Sequence, residues 1–365
     1  MKNIINLILR DYITFALFYY YSKWKVVGLE NIPKTGPVIL ASNHQNAFLD
    51  ALMIECSARK KSHFLARASA FNNKIALAFL SYIRMMPIYR IRDGIAAVKK
   101  NDEIIEKCID ILIDGKTINL FPEGNHDLKW RIRPLQRGLA RIVFGAAVKN
   151  NWASDIKIVP AGINYENPTS FRSRVFLEYG KPLSVNNYKD VYLSNNREGL
   201  ETLSKDLEMA MKPLVVDIQP LSSYNALEKR FLETRPFKRD IQEQIACDQK
   251  VVNNLVENKE PENFTSDKPV KFYPHHYLFA LFALINNILP YFITRFIVNN
   301  KIKDIAFVSS IKIACGLTVV PFFYITQTIM MSYFFGGMVG AIYFLGLFVS
   351  GYFGFDLLKK IISRS

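Results

Sequence analysis

Apolar residues fall along this chain in three regimes. In residues 26–182 short apolar runs alternate with longer stretches of helical spacing. The runs at 38–42, 63–65, 86–89, 117–121, 156–159 and 175–179 have the length and composition of strands. Strands separated by helices in this way predict an α/β domain, a sheet flanked by helices, over residues 23–185. Residues 186–269 turn polar and charged, with helical patterns at 198–211, 224–233 and 240–258, and read as a helical annex ending in a linker at Glu260-Pro261-Glu262-Asn263. Residues 270–365 turn apolar again. The 43 residues of 313–355 include no charge and no histidine, which is room for two membrane spans of about 20 residues each around a turn near 332–337. The preceding stretch, 277–298, is interrupted by Asn286, Asn287, Pro290 and Arg295, and fits a re-entrant or interfacial segment better than a clean span. At the other end, residues 1–22 set Arg10 and Asp11 inside an aromatic-rich apolar run. Two readings fit that pattern, a helix lying at a bilayer surface and a buried first helix. No small-residue cleavage signal follows it, so secretory export is not expected.

Charge narrows the choice of partner. The 365 residues carry 47 Lys and Arg against 32 Asp and Glu, a net charge of +15, which favours an anionic partner without choosing between nucleic acid, acidic metabolite and lipid. The aromatics cluster in membrane-like runs and no recognition element accompanies the charge, so a nucleic-acid partner is poorly supported. Lys301, Lys303 and Lys312 precede the 313–355 hairpin, and Lys359, Lys360 and Arg364 follow it. The positive-inside bias therefore places both ends, and the α/β domain, on the cytoplasmic face of a membrane. The four cysteines lie far apart with no C-x-x-C pair, which predicts unpaired thiols and no zinc site.

Four short blocks carry the candidate chemistry. In Asn43-His44-Gln45-Asn46-Ala47-Phe48-Leu49-Asp50, a histidine sits between an expected strand and an expected helix. Transfer of an acyl group from a thioester needs a base near neutral pKa to take a proton from an alcohol, and a carboxylate to hold the imidazole; His44 and Asp50 meet that need. In the second block Arg90 and Arg92 leave a strand end after Met86-Pro87-Ile88-Tyr89, on one side if the strand continues, and paired guanidiniums suit a phosphate. They stand in a basic field, with ten Lys or Arg and one acidic residue between Arg59 and Lys100. A solvated basic face is the plain alternative. The third block, Phe121-Pro122-Glu123-Gly124-Asn125-His126-Asp127, breaks a strand into a turn whose carboxylate can bind hydroxyl groups. The fourth, Ile158-Val159-Pro160-Ala161-Gly162-Ile163, is apolar and lines either an acyl channel or the core.

In order and spacing these blocks, with the lead-in Gly28-Leu29-Glu30-Asn31-Ile32-Pro33, resemble the glycerolipid acyltransferase family, which includes lysophosphatidic acid and glycerol-3-phosphate acyltransferases. The resemblance covers residues 20–185 and implies His44 as general base and Asp50 as its partner. It also implies Arg90 and Arg92 on the acceptor phosphate, Glu123 and Gly124 near the glycerol backbone, and Val159 and Pro160 at the acyl site. The implied chemistry is direct attack on the thioester of acyl-CoA or acyl-carrier protein, with no acyl-enzyme, cofactor or metal. The implied acceptor is lysophosphatidic acid in phospholipid synthesis. Glycerol 3-phosphate, a phosphate-free lipid and a non-catalytic scaffold remain as alternatives. Two departures stand out: five residues rather than the usual four separate His44 from Asp50, and Asn125-His126-Asp127 replaces the more frequent Thr-Arg-Ser ending. An extra residue inside a helix would swing the carboxylate by about 100°, so it must sit in the loop if the pair is to meet.

Overall fold

The computed structural model describes residues 2–90, 99–257, 259, 265–268, 271 and 273–362. Eight strands form one sheet: β1 (Lys23–Val27), β2 (Val38–Ser42), β3 (Ser62–Arg67), β4 (Met85–Ile88), β5 (Thr117–Leu120), β6 (Lys157–Tyr165), β7 (Arg174–Tyr179) and the two-residue β8 (Leu183–Ser184). Their order is β1-β7-β6-β2-β5-β3-β4, with β8 beside β6. The run β6-β2-β5-β3-β4 is parallel, so β2 to β5 all end on the same edge of the sheet. Six strands fall where alternation of apolar runs and helices predicted them. β1 escaped because its lysines alternate with apolar residues on a half-buried edge strand, where only one partner, β7, needs to be satisfied.

Both faces of the parallel sheet are covered, as its continuous apolar strands require. On one face Ile39, Ala41, Ile118 and Ile158 pack under α4 (Asn101–Ile113), α5 (Gly138–Lys149) and α7 (Asn196–Met211). On the other, Val38, Leu40, Val159 and Leu177 pack under α1 (Lys2–Tyr20) and α2 (Ala47–Ala58), joined by Ile313. Short α3 (Lys74–Tyr82) links β3 to β4, and α6 (Lys189–Ser194) precedes α7. The annex is thus part of the main core through Leu203, Leu207 and Met211, while α8 (Tyr224–Thr234) and α9 (Ile241–Val256) build a second cluster around Phe176 of β7. The linker expected at 260–263 lies outside the described residues.

In the C-terminal region, residues 277–298 belong to one continuous helix, α10 (Pro274–Lys301), with Pro290 inside it, followed by α11 (Val308–Phe335) and α12 (Gly337–Ile362). All three are long and apolar enough to cross a membrane. The two asparagines that interrupt the pattern are satisfied by their own helix and by neighbouring ones. Asn286 and Asn287 donate to Phe282 O and Ala283 O, Tyr324 donates to Asn287 Oδ1 (3.1 Å), and Tyr343 donates to Asn286. The turn of the expected hairpin is at Gly336, whose φ of 90° favours glycine.

This bundle sits on the α/β domain. Arg172 donates to Asp356 through Nε (2.7 Å) and Nη2 (2.8 Å), Lys312 Nζ to Thr169 O (2.8 Å), and Tyr20 OH to Ser309 Oγ (2.9 Å). α1 lies in the seam. It buries Leu17 and Tyr20, bonds α11 and α12 through Tyr12 and Tyr19, and leaves Ile4, Ile8, Phe15 and Phe18 exposed on its other face.

Candidate active site

β2 is a central strand held on both sides, so the loop after it leaves from a fixed point. Asn43 fixes the next step: its Nδ2 donates to Ile163 O (3.0 Å) and its Oδ1 accepts from Ile163 N (2.7 Å). His44 follows, and its Nδ1 lies 2.8 Å from Asp50 Oδ2. The five-residue spacing is accommodated ahead of the helix. Asn46 has φ −124° and ψ 48°, and Ala47 takes a left-handed φ of 43° at the point where α2 begins. The chain therefore turns back on itself before regular winding starts, and the carboxylate of the first helical turn still reaches the imidazole. That conformation costs an alanine about 1–2 kcal/mol.

Asp50 is wholly buried and its carboxylate is fully engaged. Besides His44, Oδ2 accepts the backbone N–H of Asn46 (2.7 Å), and Oδ1 accepts the Tyr165 hydroxyl (2.7 Å). Burial, followed by the Asp50 charge, pushes the Tyr165 phenol well above its usual range, so it remains a donor. With Nδ1–H donating to a carboxylate, the other ring nitrogen of His44 carries the lone pair, the tautomer a general base needs. Phe121 stacks on the ring at 4.0 Å and 11°. His126 meets it edge-on at 5.5 Å, and Asp127 N donates to His44 O (3.0 Å), tying the turn after β5 to the loop after β2.

His44 lines a cavity of about 880 Å³ at the C-terminal ends of the parallel strands, where crevices in such sheets open. Its wall is apolar along Phe64, Met85, Ile104, Cys108, Leu139 and Ile142, and basic residues Arg67, Arg90, Lys99 and Arg141 also line it. Arg90 donates to Asn125 Oδ1 (3.1 Å), beside Gly124, whose φ of 72° turns the chain at the cavity wall. Among the described residues no group of three His, Cys, Asp or Glu could hold a metal ion.

The structure thus brings His44, Asp50, Arg90 and Gly124 together. Arg92 lies outside the described residues. Glu123 is placed differently from the expectation of a hydroxyl-binding carboxylate at the cavity. It is buried beneath the turn, where Oε2 accepts from Arg133 Nε (2.9 Å) and Nη2 (2.8 Å), and it is absent from the cavity lining. Burial outweighs the Arg133 guanidinium, and the nearby Asp50 charge adds to it, so the Glu123 carboxyl is pushed up to about 7. Val159 and Pro160 also stand away from the expected acyl site. Val159 is register-paired with Leu40 in the core, two strands (β2 and β5) removed from the β3 residues that line the cavity, and Pro160 O accepts from Gly180 N. Alternation within a central strand turned Val159 into the packing under α1 and α2.

Three participants were not singled out from sequence. Arg67, at the end of β3, stood unremarked within the basic field. Tyr165 ends a strand whose alternation marks only burial. Asp304, which bonds His126 at 2.9 Å, lies 178 residues from it and carried no signal.

The site is thus a histidine–carboxylate pair at a cavity with apolar and basic walls on a mixed α/β sheet. Residues 23–164 match the family described as Acyltransferase. The chain is 31% identical over 108 residues to glycerol-3-phosphate O-acyltransferase 2 of Saccharomyces cerevisiae, covering 29% of this chain and 14% of that protein. It is 24% identical over 197 residues to the 1-acyl-sn-glycerol-3-phosphate acyltransferase of Bacillus subtilis, covering 52% of this chain and 87% of that one. The crystal structure of the 1-acyl-sn-glycerophosphate acyltransferase PlsC from Thermotoga maritima aligns with a TM-score of 0.41 at 17% identity, over 58% of this chain and 81% of that one. The chain spans only about a seventh of the length of the yeast relative.

Proposed function

We propose that this protein transfers a fatty acyl group from the thioester of acyl-CoA or acyl-carrier protein to a hydroxyl of lysophosphatidic acid at a membrane surface. The observation that carries this reading is the 2.8 Å contact between His44 Nδ1 and the buried Asp50 carboxylate at a cavity joining apolar walls to arginines. In the reaction the unprotonated His44 nitrogen takes the proton of the acceptor hydroxyl as its oxygen attacks the thioester carbonyl carbon. The C–O bond forms, the C–S bond breaks, and the thiolate leaves with the proton that His44 accepted. Asp50 stabilises the imidazolium formed in between. Arg90, with Arg67 beside it on the wall, suits the acceptor phosphate, and the apolar walls suit the acyl chain. The three apolar helices hold the site where such acceptors reside.

Glycerol 3-phosphate is the second reading for the acceptor, favoured by the 31% identity to a yeast protein of that named activity. Membranes containing the full chain, offered each acceptor separately with acyl-CoA or acyl-carrier protein, separate the two. Transfer to lysophosphatidic acid that disappears in His44→Ala is the expected result. Transfer to glycerol 3-phosphate alone selects the second reading, and transfer unchanged in His44→Ala overturns the mechanism.

A further inference from the structure

The connection between α10 and α11 reaches into the site. Asp304 accepts from His126 Nε2 at 2.9 Å, and its other oxygen caps the following turn by accepting from Ala306 N (3.1 Å). Three residues beyond that turn's cap, Phe307 meets the His126 ring edge-on at 5.5 Å and lines the same cavity as His44. The His126 ring therefore touches both His44 and a loop of the apolar-helix region, with its side chain only 10% exposed. Asp304 and Phe307 lie outside the 23–164 stretch that matches the family. His126 itself lies in the Asn125-His126-Asp127 ending that replaces the family's more frequent Thr-Arg-Ser.

The geometry points to Asp304 as a positioning residue of the transfer site, acting through His126: the membrane-helix connection supplies the wall against which His44 works. The proposal rests on the reading of His44 as the base. Its physical content is that a carboxylate fixes the His126 tautomer and ring plane as Asp50 does for His44, so the cavity wall has one shape only when the α10–α11 loop is seated. Electrostatics agree. Burial pulls the His126 imidazole below its usual range, Asp304 opposes it, and the His44 and Arg67 groups facing it lower it further, so the ring is neutral near pH 7. A neutral neighbour leaves His44 free to accept a proton. Burial disfavours the Asp304 carboxylate, but the bonds from His126 and Ala306 outweigh it and hold it below the ordinary range.

The test uses full-length protein in membranes and two readouts. The first is a double-mutant cycle on kcat/KM for the acceptor. His126→Ala and Asp304→Ala should each lose about tenfold, the double variant should lose no more than His126→Ala alone, and Asp304→Asn, which keeps an acceptor oxygen, should recover to within about threefold of the parent. A cap that merely supports the loop would give losses that add. The second readout is carbethoxylation at pH 7 resolved by peptide mass. Asp304→Ala should raise the His126 rate about fivefold, with His275 and His276 at the start of α10 as internal standards. An unchanged His126 rate, or additive losses, overturns the proposal. If the parent transfers no acyl group to any acceptor, the carbethoxylation rates still decide whether Asp304 holds His126, and the failure belongs to the functional reading.

Discussion

Asp50→Asn separates two things the carboxylate does for His44, holding the tautomer and supplying charge. The buried side chain accepts three hydrogen bonds: from His44 Nδ1 and Asn46 N at Oδ2, and from Tyr165 OH at Oδ1. An asparagine has one acceptor oxygen and one NH2. Placing the NH2 at the Oδ2 position would set it against the Asn46 N–H, a donor that cannot turn away. Placing it at the Oδ1 position sets it against a tyrosine hydroxyl, which accepts as readily as it donates. The oxygen therefore stays with His44, the tautomer is preserved, and only the charge is lost. A hydrogen bond to a charged group contributes about 2 kcal/mol, and withdrawing it from the imidazolium of the transition state lowers kcat roughly thirtyfold. In a Ser-His-Asp triad, by contrast, the same exchange turns the tautomer and costs about 10⁴. The assay is the initial rate of acyl transfer by membranes at matched protein level, with His44→Ala as the floor. A rate equal to the parent's would refute the role of Asp50. A loss as deep as that of His44→Ala would refute the argument that Asn46 and Tyr165 orient the amide; Tyr165→Phe in the same background would then be expected to change nothing.

Glu123, with its carboxyl pushed up to about 7 by burial, binds a proton more tightly folded than unfolded, so its contribution to stability is complete below pH 4.5 and is lost as pH rises through about 7. The difference corresponds to about 3 kcal/mol. Melting temperature should fall between pH 5 and pH 8 in the parent and fall less in Glu123→Gln, and parallel curves would show that the carboxyl does not titrate there. Arg90→Ala should raise the KM for a phosphate-bearing acceptor about tenfold while leaving a phosphate-free monoacylglycerol unaffected. Equal effects on both acceptors would mean that Arg90 does not bind phosphate.

How much of this was legible in the sequence follows the range of the forces involved. β2, β5 and β7 were visible because central strands bury both faces, leaving continuous apolar runs. His44 and Asp50 were visible because both ends of their contact lie within one strand–loop–helix unit. Whether they could meet despite the extra residue was not visible, since the answer is a single positive φ at Ala47. Glu123 shows the opposite limit. Its block marks a turn at the site correctly, yet the ion pair that removes its carboxylate from the cavity comes from Arg133, which the sequence presents only as one more positive charge in a series. Asn286 and Asn287 misled for the same reason: a polar residue in an apolar run signals a break unless a partner exists, and their partners, Tyr343 and Tyr324, stand on other helices.

The same distinction explains why the membrane-helix region cannot be treated as a detachable anchor. An anchor needs only apolar length, and any sequence of suitable hydropathy supplies it. Here Arg172, almost wholly buried, has its charge met by Asp356 of α12, so removing α12 would leave an unpaired guanidinium inside the α/β domain. Ile313 of α11 closes the core over β2, the strand that delivers His44. Asp304 and Phe307, between α10 and α11, touch His126 directly. Each contact places a cost on separating the two regions, and together they run from the scaffold beneath His44 to the wall beside it. The helices therefore take part in the geometry of the site, beyond supplying apolar length.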